Sequence, residues 1–146
     1  MSTTQYRWLA GLWTVAILVA CSVPATTLSP VGPALSYDKI AHVVLFAVFG
    51  GLWMRALSPP HEGTARRNGL LLLLVGSAFG VFTEAYQPLL PIRRHGDPFD
   101  ALADGAGLVV GIGLYVLYVH RRKDRGRKAG GAPKPTADPG DSGGPE

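Results

Sequence analysis

The stretch from Glu84 to Gly111 reads EAYQPLLPIRRHGDPFDALADGAGLVVG. Apolar runs flank or overlap this stretch, at Leu70 to Phe82 and at Leu108 to Val119, and their composition is typical of membrane spans. Carboxyl and amide groups beside or inside such runs are costly in lipid, so they are expected to face one another or water. The stretch therefore predicts a polar site at one membrane face, held by helices that cross the bilayer.

The chain has 146 residues, which is enough for one small domain. Its class is decided by where the apolar residues lie. Segments of about 16 to 19 residues are long enough to cross a hydrocarbon core of about 30 Å. Four such segments are present, Trp8–Val23, Ile40–Leu57, Leu70–Gln87 and Ala101–Val119. A soluble bundle would carry polar stripes along each segment, and these are absent. The sequence thus predicts an all-α fold, an integral membrane bundle of four transmembrane helices.

The basic residues are distributed unevenly between the two sides of this predicted bundle. With the N-terminus inside, 11 of the 14 Lys and Arg residues are cytoplasmic, and the other three are Lys39, Arg93 and Arg94. This bias predicts that the N-terminus and the C-terminus are both cytoplasmic. The topology accounts for the basic balance, so no nucleic acid partner is expected. Residues 1–120 form the predicted membrane domain, and residues 121–146 form a basic, then Gly- and Pro-rich tail that is expected to be disordered.

The single cysteine, Cys21, excludes an intramolecular disulfide and a cysteine-based zinc cluster. It ends the sequence Leu18-Val19-Ala20-Cys21, which resembles a lipobox at which a signal peptidase would cut. The other interpretation is a cysteine near the end of a retained helix. We favour the retained helix, because the chain before Cys21 also serves as a first span.

Asp38 and His42 open the second predicted helix and are four residues apart, so they share one helical face. Two interpretations are open. Asp38 caps the helix and His42 is a packed histidine, or both belong to a site. Glu84 lies about 21 Å along the third span at 1.5 Å per residue, with Gln87 on the same face. Its apolar neighbours favour an inward-facing acid over an interfacial one.

The fourth helix is predicted to begin with Asp97 as its N-cap and Pro98 at its first position. Asp100 then lies in the first turn, and Asp104 lies one turn deeper on the same face. The glycines that follow mark a close-packing face, so Asp104 is expected to point near the third helix. Arg93 and Arg94 bind lipid phosphate at the interface, or pair with these acids or with an anionic ligand.

The ordered combination of these residues resembles the VanZ-like family over about residues 8 to 119. The motifs that carry the resemblance are Asp38-Lys39-x-x-His42, Glu84-x-x-Gln87, Pro91-x-Arg93 or Arg94, Asp100, and Gly107-x-x-x-Gly111. Proteins of this family are small bacterial membrane proteins, and the founding member is associated with resistance to the glycopeptide teicoplanin. The family usually has Asn where this chain has Asp104, which adds an acid to the cluster.

The resemblance and the residues together predict a multi-pass protein of the bacterial cytoplasmic (inner) membrane with an accessory role in the cell envelope. Its expected partners are membrane lipids and a lipid-linked envelope precursor or lipoglycopeptide. The candidate ligand-binding residues are Asp38, His42, Glu84, Gln87, Arg93, Arg94, Asp100 and Asp104. The alternative is an intramembrane enzyme with His42 or Glu84 as general base. No cofactor is expected, and no metal, because one histidine and two acids are a poor zinc set.

Overall fold

The computed structural model describes residues 1–22, 34–59, 63–90 and 97–130, with side chains described from 38 in the second segment and up to 127 in the last. The helices are α1 (Thr3–Ser22), α2 (Ala34–Leu57), α3 (Ala65–Tyr86) and α4 (Pro98–Gly130), and a single 3-10 turn, Gln87–Leu89, extends α3. These segments contain no strand, so the all-α prediction is confirmed for the described residues.

Three of the helices, α2, α3 and α4, are long and apolar enough to cross a membrane. The burial pattern agrees with this class, because large apolar side chains such as Leu70, Leu74 and Leu114 are well exposed on the outside of the bundle. Polar side chains such as Asp104 and Gln87 are instead buried in its interior. This distribution is the one expected of a protein whose surroundings are lipid. That α1 also crosses the membrane, and that both termini lie on the cytoplasmic side, stay predictions.

Helices α2 and α4 run parallel and make the closest contact in the bundle. Gly107 and Gly111 of α4 lie directly against the backbone of α2 around Ala47. In the other direction, a methyl group at Gly50 would lie 3.3 Å from the Leu108 carbonyl oxygen. Small residues at such a contact let two backbones approach, which is how helices gain packing energy in lipid. The predicted close-packing face of α4 is therefore confirmed, with α2 as its partner.

Helix α3 runs antiparallel to α4 and also contacts it through glycines. A methyl group at Gly76 would lie 2.9 Å from both methyl groups of Leu108. One turn later, a methyl group at Gly80 would lie 2.9 Å from Asp104 Oδ2. The Asp104 side chain thus packs against α3, as the sequence predicts, although the glycines that follow it contact α2.

Helix α1 packs antiparallel on α2, with polar contacts in its first two thirds and apolar ones toward its end. Trp13 Nε1–H donates to the Leu45 carbonyl oxygen at 3.0 Å, and the Arg55 guanidinium lies 4.8 Å from the centre of the Tyr6 ring. Ile17 and Cys21 are buried in the common apolar core. The helix continues through Cys21 to Ser22 as part of the bundle, and its retention in the mature protein stays a prediction.

A set of hydrogen bonds ties α2, α3 and α4 together at the end of the bundle where α2 finishes. Tyr115 of α4 donates its hydroxyl proton to the carbonyl oxygen of Ser58, directly after α2. Asn68 of α3 donates to the Leu57 carbonyl oxygen at 2.8 Å and to Ser58 Oγ at 3.1 Å. The bonds to the carbonyl groups of Leu57 and Ser58 satisfy acceptors at and directly after the end of α2, where helical partners are lacking.

We expect Tyr115→Phe to lower the free energy of unfolding by about 1 kcal/mol, because it leaves a buried carbonyl group without its donor. The measurement is the thermal or denaturant transition of the purified protein in detergent. The matched control is Tyr118→Phe on the same helix. The Tyr118 side chain is 49% exposed, and its hydroxyl accepts a long hydrogen bond, of 3.5 Å, from Arg122 Nη1. An equal shift in both variants would contradict this role for Tyr115.

Candidate functional site

Polar side chains gather at the opposite end of the bundle, where α2 and α4 begin and α3 ends. The polar cluster, as we call it, consists of Asp38, Lys39, His42, Glu84, Gln87, Asp97, Asp100 and Asp104. Six of the eight sequence-predicted site residues are among these. The other two, Arg93 and Arg94, lie outside the described residues.

The centre of the polar cluster is a buried pair between α2 and α4. His42 Nδ1 lies 2.9 Å from Asp104 Oδ1, and both side chains are buried. On the other side of the ring, His42 Nε2 lies 4.0 Å from Asp100 Oδ2. Asp100 and Asp104 are one turn apart on α4, so a single imidazole on α2 lies between two carboxylates. Of the two interpretations of His42, the structure shows a packed histidine that also belongs to a cluster of acids.

Asp104 is the deepest acid of the polar cluster and is fully buried. Its Oδ1 atom faces His42, whereas its Oδ2 atom has no hydrogen-bond partner among the described residues. Below this level the bundle is filled with aromatic rings. Phe46, one turn after His42, lies 5.9 Å from Phe79 between ring centres. The polar cluster therefore has an apolar floor.

Glu84 links the end of α3 to the beginning of α4. Its Oε1 atom accepts a hydrogen bond of 3.2 Å from Gln87 Nε2, three residues later. Its Oε2 atom accepts one of 2.9 Å from the backbone N–H of Asp97. A carboxylate is favoured beside a helix N-terminus, where free N–H groups carry partial positive charge. The inward-facing acid predicted at this position is thus present and holds the N-terminal end of α4.

Lys39 is the basic residue of the polar cluster, and it lies at its exposed rim. Its Nζ atom donates to Asp97 Oδ2 and to Asp100 Oδ1, at 2.9 Å each. Asp97 Oδ1 in turn accepts from the backbone N–H of Phe99 at 2.9 Å, as the predicted N-cap. The hydrogen bond from Lys39, followed by that from Phe99, holds the pKa of Asp97 below its usual value of 3.8. Asp97 therefore stays charged at neutral pH.

Sequence reasoning missed Lys39 and Asp97 as members of the site. Lys39 served only as a charge on the outer side and as one position of the Asp38-Lys39-x-x-His42 motif, and Asp97 served only as a helix cap. A signal for Lys39 was present, because it is three residues from His42 and shares its helical face. No local pattern points to the backbone N–H of Asp97 as a partner of Glu84, since 13 residues separate them.

The described part of the polar cluster carries more negative than positive groups. Five carboxyl groups face one ammonium group and one imidazole. Such an excess of carboxyl groups attracts cations electrostatically, and the His42–Asp104 pair has the arrangement of a general base with an orienting acid. The fold and this site define the class, a multi-pass helical membrane protein with a buried ionisable cluster at one end. Comparison of the chain with protein-family models, curated proteins and solved structures finds no match.

Proposed function

We propose that this chain is a VanZ-like protein of the bacterial cytoplasmic membrane, in which the polar cluster binds a lipid-linked or lipoglycopeptide ligand of the cell envelope. Its role is that of an accessory protein, of the kind linked to teicoplanin resistance. The observation that supports a binding site most directly is the convergence of His42, Glu84 and Asp104. These three buried side chains come from α2, α3 and α4, and they lie at one level of the bundle.

The proposed topology has four crossings and both termini in the cytoplasm. Helix α1 has 20 residues, which is about 30 Å at 1.5 Å per residue and matches a hydrocarbon core. Basic residues crowd the other end of α4, around Arg121 and Arg122, which is typical of a cytoplasmic flank. The polar cluster then opens to the extracytoplasmic face, where envelope precursors and glycopeptides meet the membrane.

A binding role explains why the polar cluster exists at all. Glycine contacts and aromatic rings already pack α2, α3 and α4 closely. Well-packed apolar side chains in place of a buried ionic network are often neutral or stabilising by about 1–4 kcal/mol. Ionisable residues that are buried in a membrane bundle therefore indicate a functional site by default.

We expect His42→Gln and Glu84→Gln to abolish protection against teicoplanin while leaving the protein in the membrane at normal abundance. Both changes keep the side chains polar and close in size, so the bundle is expected to assemble, whereas the charge pattern of the site is lost. The measurement is the inhibitory concentration of teicoplanin in a bacterial host, together with an immunoblot of its membranes. At least a fourfold fall in the inhibitory concentration is expected.

Helix α4 offers a matched control for this experiment. His120 Nε2 and Asp124 Oδ2 are 3.6 Å apart, which is a second histidine–aspartate pair, but it is exposed and lies far from the polar cluster. His120→Gln and Asp124→Asn should leave the protection unchanged. Full protection in His42→Gln and Glu84→Gln at normal abundance would refute the binding role, and loss of the protein from the membrane would favour a purely structural network.

The second candidate function, an intramembrane enzyme, is favoured by one observation. The hydrogen bond between His42 and Asp104 holds the imidazole in a fixed orientation. A general base in a hydrolytic enzyme is held by a neighbouring acid in the same way. In this alternative, His42 accepts a proton from a water molecule that attacks a phosphate-bearing envelope substrate. Release of phosphate from a lipid-linked diphosphate in vesicles, absent in His42→Gln, would establish it.

A further inference from the structure

His42, Glu84 and Asp104 have the arrangement of ligands around a single ion. One potential ligand atom from each side chain lies within 4.8 Å of the other two. Ligand atoms of one ion are at most about 4 Å apart when each bond is about 2.1 Å long. Small side-chain rotations therefore suffice to bring the three onto one centre. Because the residues come from three helices, an ion at this point would also hold the helix ends together.

An independent observation points to a missing positive partner. Asp104 Oδ2 is buried and has no hydrogen-bond partner within the described segments, although most buried polar atoms have one. It lies against Gly80, and Glu84 follows Gly80 by one turn on the same face of α3. The unpartnered oxygen is thus directed to the helix face that carries the second acid of the three.

The charges around these residues favour a cation as the missing partner. Lys39 forms ion pairs with Asp97 and Asp100, so its positive charge is already paired at the rim of the polar cluster. Among the described residues, Glu84 and Asp104 then have only His42 as a basic neighbour. Two buried carboxylates beside an imidazole match a divalent ion. We propose that the polar cluster binds one divalent metal ion through His42, Glu84 and Asp104.

A second set of potential ligands, Asp38, His42 and Asp100, shares the histidine but is less suited to the ion. Asp38 is exposed to solvent, and Asp100 already accepts a hydrogen bond from Lys39. An ammonium group beside a metal ion repels it, and Lys39 lies next to this outer set. The deeper set is buried, and the hydrogen bonds that Glu84 accepts come from Gln87 and from the backbone of Asp97 and not from an ammonium group.

The ligand types select the class of ion. One nitrogen and two carboxylates are a poor zinc set, which is why the sequence predicts no metal. Carboxylate oxygens suit harder ions such as Mn²⁺ and Mg²⁺, and imidazole suits first-row transition metals. Mn²⁺ belongs to both groups and is the appropriate probe. Three protein ligands leave positions for water or for an oxygen atom of a bound phosphate.

The test uses the full chain, purified in lipid nanodiscs and stripped of metal with EDTA. Mn²⁺ is then added in steps, and its binding is followed by electron paramagnetic resonance. We expect one Mn²⁺ per chain, with a spectroscopic coupling to imidazole nitrogen that His42→Gln removes. Glu84→Gln and Asp104→Asn should each raise the dissociation constant at least tenfold. The control His120→Gln/Asp124→Asn, which leaves the polar cluster intact, should change it less than twofold.

Gel filtration of each variant shows that it is folded before it is titrated. Absence of stoichiometric Mn²⁺ binding in the folded wild type overturns the proposal. A tenfold loss in Asp100→Asn but none in Glu84→Gln also overturns it, since the ion would lie in the outer set.

The metal proposal rests on the polar cluster being a binding site, as the proposed function also states, but the two can fail separately. The titration contains neither antibiotic nor envelope ligand. Mn²⁺ binding without a teicoplanin phenotype would contradict the envelope role alone. A teicoplanin phenotype that depends on His42 and Glu84, without Mn²⁺ binding, would contradict the metal alone.

Discussion

Gly111→Ala is expected to lower the free energy of unfolding of the bundle by about 3 kcal/mol or more, the upper end of the usual cost of overpacking a close-packed contact. A methyl group at Gly111 would overlap the carbonyl oxygen of Ala47 and would lie 2.9 Å from its carbonyl carbon. It would also lie 3.0 Å from the backbone nitrogen of Gly51. All three neighbours are backbone atoms of α2, so no side-chain rotation relieves the overlap, and the two helices have to separate.

The effect of Gly111→Ala is measured by the denaturant or thermal transition of the purified protein and by its abundance in membranes. Gly113→Ala is the matched control, because it lies two residues further along α4 and a methyl group there meets no atom within 4 Å. Alanine is favoured over glycine in a helix by about 1 kcal/mol, so Gly113→Ala should be neutral or stabilising. Equal loss in both variants would show that α2 does not lie against Gly111.

His42→Leu and Asp104→Leu, each made alone, are expected to cost about 3–5 kcal/mol, because each leaves one buried member of the pair without its partner. The double variant is expected to cost less than the sum of the two. It removes both polar groups together, so neither is left uncompensated. The difference is a coupling energy, expected at the upper part of the range of about 0.5–3 kcal/mol for residues in direct contact.

This coupling is obtained from a double-mutant cycle of unfolding free energies in detergent. The exposed pair His120 and Asp124 gives the reference cycle on the same helix, with an expected coupling of no more than about 0.5 kcal/mol. Additive single effects at His42 and Asp104 would mean that their 2.9 Å contact contributes nothing. A stable His42→Leu/Asp104→Leu protein without antibiotic protection would separate the function of the polar cluster from its part in folding.

Several parts of this structure were within reach of local sequence patterns. The start of α4 is an example, since Asp97 caps it and Pro98 occupies its first position as predicted. The gathering of polar residues at one end of the bundle is another, since the sequence places them at one end of their apolar segments. Both predictions depend on properties of one helix at a time, and such properties are present in the sequence of that helix.

Other contacts could not be predicted because they join residues that are distant in the sequence. Lys39 binds Asp97 and Asp100, which are 58 and 61 residues away. The glycines after Asp104 were expected near α3, as Asp104 is, yet they lie against α2. A helix has several small-residue positions, and its own sequence does not say which neighbour each position meets.

The sequence by itself determined the helical class, the presence of apolar segments long enough to cross a membrane, and the height of the polar residues along them. Apolar content and the rise per residue are local quantities, so one chain read in order specifies them. Only the tertiary structure decided that His42 bonds to Asp104 and that Glu84 holds the start of α4. It also decided that one carboxylate oxygen of Asp104 has no hydrogen-bond partner in the part of the chain that the structure describes. These contacts depend on the rotation of each helix about its axis, which is set by how glycines and rings of three helices pack together.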